Sequence, residues 1–102
     1  MFIAMNRFRI RKGHEEEFEQ IWANRDSHLK DVPGFLGFHL LRGGEADSYT
    51  LYASHSMWAS RDAFEAWTRS QAFRDAHRNA GDHRHIYLES PELECFEAVQ
   101  NE

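Results

Sequence analysis

The residue types with chemistry to offer fall in one stretch of the chain's second half, WTRSQAFRDAH, and at one position of its first apolar run. Trp67, Phe73 and His77 lie near one helical stripe, and Phe73 and His77, four apart, share a face. Asn6 interrupts the alternation Phe2, Ala4, Phe8, Ile10. An imidazole can ligate a metal, an indole can wall a flat ligand, and a carboxamide can aim a hydrogen bond. Each residue alone also has an ordinary explanation. A buried asparagine commonly just satisfies the backbone, a tryptophan on the inner face of a capped helix is common packing, and an isolated histidine is commonly a surface group.

Periodicity supplies the elements that must position these groups. Phe2 to Arg11 alternates as a strand, with Asn6 on the face of Phe2, Ala4, Phe8 and Ile10, and with Ile3, Met5, Arg7 and Arg9 on the other. From about His14 to Leu29 the pattern becomes helical, with Phe18, Ile21, Trp22, Arg25 and Leu29 near one stripe. Glu15, Glu16 and Glu17 suit its positive N-terminal end, and Pro33-Gly34 stops it. Phe35 to Leu41 predicts a second strand, with Leu36, Phe38 and Leu40 on one face and Phe35 and Leu41 on the other. A loop over 43–47 leads to a third strand, Tyr49 to Trp58, again apolar or aromatic on both sides. Ser60 is a sound N-cap for the helix carrying Ala63, Phe64 and Trp67. Ser70 caps a shorter helix through Phe73, Ala76 and His77 that Gly81 can end. A polar connector over 82–90 precedes a final strand, Glu92 to Val99.

The order strand, helix, strand, strand, helix pair, strand predicts a ferredoxin-like α+β fold, an antiparallel sheet with helices on one face. Strands that are apolar on both faces must be covered twice. Helices in so short a chain cover one face, so a second subunit is expected over the other.

Composition bounds the rest. A chain of 102 residues reads as one domain, 1–102, and buries roughly 60 to 70% of its unfolded surface. A large flat ligand must then sit between layers. The net charge of −5 argues against a nucleic-acid partner, and Arg7, Arg9, Arg11 and Lys12 read as a solvated rim. Cys95, the only cysteine, excludes an intrachain disulfide and fits a reducing, cytoplasmic compartment; its thiol is expected to be a small buried packing group. Met1 to Met5 is too short for a signal peptide, and no apolar run reaches membrane-spanning length. His39 and His55 fall on strands, where they are candidates for the subunit interface. His83-x-His85 resembles a metal pair only loosely, because no carboxylate or cysteine stands at ligand spacing, and it reads as a solvated loop.

The MNRF opening, Lys12-Gly13, the Pro33-Gly34-Phe35 turn and FEAWTRSQAFRDAHR resemble the dimeric haem-degrading monooxygenases of the IsdG type, in the antibiotic-biosynthesis-monooxygenase (ABM) superfamily. The likeness runs from Phe2 to Asn79; GDHRHIYLESPE and the acidic C-terminus carry no matching motif. Position by position, it implies Asn6, Trp67 and His77 as the site, on a homodimer that pairs two sheets into a dimeric α+β barrel. It further implies that His77 binds haem iron axially, leaving the opposite side for dioxygen. Asn6 would donate into that distal space a bond of roughly 0.5 to 1.5 kcal/mol, used chiefly to orient oxygen toward a meso carbon. Trp67 would press on the macrocycle and ruffle it, storing on the order of 1 to 5 kcal/mol. Phe73 would complete the wall, and Arg25, Arg74 and Arg78 are candidates for the propionates, with exposed helix arginines as the other reading. Haem would be cofactor and substrate together. An external electron donor, a reductase or a small reductant, would drive release of iron and a bilin-type product, a role in iron acquisition.

Two other function classes fit the same residues. A cofactor-independent monooxygenase could use Asn6 and Trp67 to hold a quinol-like aromatic, without need of His77 as a ligand. A non-catalytic haem-binding dimer would keep the macrocycle intact.

Overall fold

The computed structural model of the chain describes residues 1–25, 28–76 and 84–102, with the backbone alone at 72, 75 and 76. Its elements run β1 (Phe2–Arg11), α1 (Glu15–Ala23), a 3-10 turn (Leu29–Asp31), β2 (Phe35–Glu45), β3 (Tyr49–Trp58), α2 (Arg61–Thr68), α3 (Gln71–Ala76) and β4 (Glu92–Glu97). The strands form one sheet in the order β2-β3-β1-β4. Every pairing is antiparallel, with β1 matched to β3 from Phe2↔Trp58 to Arg11↔Tyr49 and to β4 from Phe2↔Glu97 to Arg7↔Glu92. Each helical crossover therefore skips one strand, which is the ferredoxin-like α+β arrangement expected.

Local chemistry explains the helix starts. Ser60 Oγ accepts from Ala63 N–H at 3.2 Å and Ser70 Oγ accepts from Phe73 N–H at 3.1 Å, so both serines cap as the sequence indicates. At Pro33-Gly34 the chain turns with Gly34 at φ 82°. The Phe35 N–H closes that turn on the Val32 carbonyl at 3.1 Å. A Cβ on Gly34 would lie 2.5 Å from Ala63 Cβ, so β2 enters the sheet hard against α2.

The core splits into two clusters on the helix-covered face. Phe8, Ile10, Phe18, Tyr52 and Ile86 form one, joined by Ile21, Trp22, Leu40 and Tyr87. Phe2, Ala4 and Trp58 form the other, joined by Leu29, Val32, Phe35, Ala63, Phe64 and Trp67. The opposite face carries Ile3, Met5, Leu51, Ala53 and Met57, half-buried, and the cross-strand neighbours His39 and His55, ring centroids 5.7 Å apart. No described helix is long and apolar enough to cross a membrane.

Five details depart from the sequence reading. The first helix ends at Ala23, six residues short of Leu29, because Asn24, a poor helix former, takes the C-cap and Leu29 packs on the second cluster instead. A register shift between Phe35 and Gly37 moves Phe35 to the side of Phe38 and Leu40 and leaves Leu36 58% exposed. A second irregularity between Arg42 and Glu45 lets β2 run on to Glu45. Finally, β4 ends at Glu97, and Cys95 is exposed rather than a buried packing group, since it sits on an edge strand.

Candidate functional site

Asn6 stands at the boundary between the two clusters. Along β1 its same-face neighbours are Ala4, in the cluster holding Trp67, and Phe8, in the cluster holding Trp22, each about 7 Å away by strand geometry. Across the sheet it faces Ser54 on β3 and Leu93 on β4, and Ala4 faces Ser56. Small and polar side chains thus run in a band between two aromatic walls. Asn6 is half-buried, and among the described residues its carboxamide makes no hydrogen bond.

The wall at the second cluster is built by α2 and α3. Trp67 meets Phe73 edge-on, with centroids 4.9 Å apart at 84°, and lies 5.3 Å from Trp58 and 6.2 Å from Phe64. Trp58 is itself fixed, fully buried and donating its indole N–H to Ser56 Oγ at 3.0 Å. Ser70 sets the angle between the helices, because its hydroxyl donates to the Trp67 carbonyl at 2.6 Å while accepting from the Phe73 N–H. Trp67 lines a cavity of about 510 Å³ with Val32, Gly34, Ala63 and Ser70. His28, held at a left-handed φ of 53°, borders it as well.

The opposite wall is a stack. The Trp22 and Phe38 rings are nearly parallel, 10° apart at 5.6 Å, and the Arg25 guanidinium lies 4.1 Å above Trp22. Beside them a cavity of about 370 Å³ is lined by Glu19, Trp22, Phe38, Leu40, Arg42 and Tyr52. The Tyr52 hydroxyl donates to Glu19, and Arg42 reaches the same carboxylate at 3.4 Å. Burial, reinforced by that bond, pushes the Tyr52 phenol above its ordinary value, so it stays a donor. Burial also lowers the Arg25 guanidinium, which remains charged nonetheless.

Of the residues singled out from sequence, Trp67 and Phe73 are in contact, and Asn6 shares their side of the sheet while lining neither cavity. Arg25 belongs to the opposite wall. Arg74 is exposed and tied to Gln71 of its own helix at 3.0 Å. His77 and Arg78 lie outside the described residues. The Trp22–Phe38 stack was not anticipated, because the register shift at Phe35/Gly37 decides where Phe38 points. His85, read as part of a solvated loop with no carboxylate at ligand spacing, meets Glu17 from 68 positions away at 3.0 Å. The basic run on β1 is neutralised locally: Arg7 pairs with Glu94 at 2.7 Å, Arg9 with Glu89 and Glu92 at 3.1 Å, and Lys12 with Glu45 at 2.7 Å.

The chain is thus a small ferredoxin-like α+β domain whose helix-covered face holds one amide between two aromatic clusters. Residues 1–79 match the family antibiotic biosynthesis monooxygenase, and the chain belongs to it. A heme-degrading monooxygenase of Bacillus cereus (strain B4264) is 31% identical over 81 residues, covering 79% of this chain and 75% of the relative. The heme-degrader MhuD from Mycobacterium tuberculosis, solved with two hemes in its active site, superposes with a TM-score of 0.74 at 29% identity, over 99% of this chain and 98% of that one. SnoaB, a cofactor-independent oxygenase from Streptomyces nogalater, superposes at 0.70 with 27% identity, over 98% and 94%.

Proposed function

We propose that this chain is a haem-degrading monooxygenase acting as a homodimer, residues 1–102 forming one domain. The observation that carries the reading is Asn6, a half-buried amide without a hydrogen-bond partner among the described residues, set between aromatic walls. The likeness to the Bacillus cereus relative and to MhuD supports it. The residues fit a flat macrocycle. Trp22–Phe38 and Trp67–Phe73 offer broad aromatic surfaces, and Ala4, Ser54 and Ser56 keep the floor between them low. The half-buried apolar face with Ile3, Met5, Leu51 and Met57 is the surface a second copy would cover.

Bound haem supplies iron redox chemistry and is itself the substrate. His77 would hold the haem iron through a neutral imidazole. The Asn6 amide donates into the space where dioxygen enters, and its role is direction more than strength. Trp67 is backed by Trp58, Phe64 and Phe73 and would press on a bound macrocycle, an interaction that would store on the order of 1 to 5 kcal/mol of distortion. Arg25, Arg74 and Arg78 are the proposed propionate partners. Dioxygen and an external electron donor complete the reaction, releasing iron and a bilin-type product.

The test is to mix the protein with hemin, add a mild reductant in air, and follow the Soret band together with a ferrous-iron chelator. Band loss with iron capture supports the reading, and His77→Ala should abolish the ligated spectrum without unfolding the chain. Haem that binds and survives would make the protein a carrier. The SnoaB likeness favours a second reading, a cofactor-independent oxygenase of quinol-like aromatics; failure to bind haem, with oxygen uptake on such a substrate, would select it.

A further inference from the structure

Away from the aromatic walls, three groups with ligand chemistry converge. His14 Nδ1 lies 3.0 Å from Glu17 Oε1, and His85 Nε2 lies 3.0 Å from Glu17 Oε2. All three ligand atoms fall within 4.8 Å of one another. We propose that His14, Glu17 and His85 form a site for a first-row divalent transition metal of the Zn²⁺ class, outside the residues proposed to hold haem.

The geometry favours this on two counts. A tetrahedral ion with bonds of about 2.0 to 2.2 Å spaces its ligands about 3.3 to 3.6 Å apart. Each imidazole already lies 3.0 Å from one of the two Glu17 oxygens, so with a single oxygen as ligand one N···O edge is near length. The remaining separations, all within 4.8 Å, close by small side-chain rotations. The scaffold behind the ligands is also firm. His14 stands just before α1 and donates its backbone N–H to the Arg11 carbonyl at 3.1 Å, and Phe18, next to Glu17, is fully buried. His85 sits in a 3-10 turn over 84–86 whose next residue, Ile86, is fully buried. That turn is followed by an Ile10↔Tyr87 bridge and by the Leu88 N–H donating to the Arg9 carbonyl at 2.8 Å.

The donor set selects the ion. Two imidazoles with one carboxylate suit Zn²⁺, Co²⁺ or Ni²⁺, whereas Mg²⁺ and Ca²⁺ prefer oxygen throughout. Without metal, each ring donates an N–H to Glu17. On binding, His14 carries its proton on Nε2 and His85 on Nδ1, so both rings stay neutral and Glu17 supplies the negative charge. Three protein ligands leave the fourth position to water. Such an ion fastens the start of α1 to the chain that follows the 77–83 segment, and it binds only when those parts are folded together.

The experiment uses untagged, chelator-stripped full chain titrated with Zn²⁺ or Co²⁺. One equivalent should bind, Zn²⁺ should raise Tm, Co²⁺ should give the intense visible bands of a four-coordinate site, and Zn²⁺ should shift the imidazole resonances of His14 and His85. Glu17→Gln, His14→Gln and His85→Asn should each weaken binding at least about tenfold, while metal-free melts verify their folding. His77→Ala should bind Zn²⁺ as the wild type does, which separates this site from the haem ligand. Unmoved His14 and His85 resonances at saturation, wild-type affinity in Glu17→Gln, or loss of binding in His77→Ala alone would overturn the proposal.

Discussion

Replacing Asn6 with alanine separates a working amide from a structural one. An asparagine that satisfies buried backbone groups costs about 1 to 3 kcal/mol when removed, because its partners are left unpaired. Here the carboxamide makes no hydrogen bond among the described residues, so no partner is stranded. Only the desolvated amide is lost, and partial burial of an unpaired amide is itself unfavourable. Stability in denaturant should therefore stay within about 0.5 kcal/mol of the wild type. Activity should not. Losing a donor worth roughly 0.5 to 1.5 kcal/mol lowers the rate about two- to twelvefold, at about 1.4 kcal/mol per factor of ten, and more where the bond strengthens in the transition state. Denaturant unfolding and the initial rate of Soret loss, measured on one preparation, read both quantities. A variant destabilised by more than about 1.5 kcal/mol that still cleaves haem at the wild-type rate would make Asn6 a structural residue and refute the assignment.

The other predictions draw on separate parts of the fold. Trp67→Ala removes contacts to Trp58, Phe64 and Phe73; it should cost about 2 to 4 kcal/mol, below the value for a fully buried tryptophan. It should also lose ring cleavage, while Trp67→Phe keeps part of both, as melts and turnover on the same samples will register. Gly34→Ala places a methyl 2.5 Å from Ala63 Cβ at φ 82°, so unfolding experiments should find a loss of about 2 to 4 kcal/mol. Glu15 accepts from the Thr50 hydroxyl at 2.8 Å and from the Gly13 N–H, and those bonds hold its carboxyl below the ordinary 4.5. A depressed folded-state pKa gives stability that is present above pH 4.5 and lost as pH falls through the lower folded value; Glu15→Gln should flatten that acid limb in a pH series of melts. Met5→Glu puts a charge on the open face beside Glu94; if the proposed homodimer buries that face, light scattering should find a dimer for the wild type and monomer for the variant.

Periodicity and capping chemistry were enough for the architecture. Alternation in Phe2 to Arg11 and Tyr49 to Trp58 placed both central strands to the residue, because each is paired along both edges and the pattern is strong. Ser60 and Ser70 act locally, through bonds three residues long, so their role needed no tertiary information. The same holds for Pro33-Gly34. The family likeness of Asn6 and Trp67 could be read from the chain, and their common side of the sheet followed from strand parity.

Tertiary structure alone decided the rest, wherever a neighbour distant in sequence outweighed a local preference. The register shift between Phe35 and Gly37 inverted the facing of Phe35 and set Phe38 against Trp22; one extra residue in a strand reverses parity, and composition does not announce it. Cys95 is apolar enough for a core, yet edge position left it exposed. His85 gained Glu17 and His14 because β1, α1 and the 84–86 turn meet at one end of the sheet. Hydrogen-bond geometry is satisfied over about 3 Å of space and is indifferent to the length of chain between its partners, which is why helices and turns could be read along the sequence and this cluster could not.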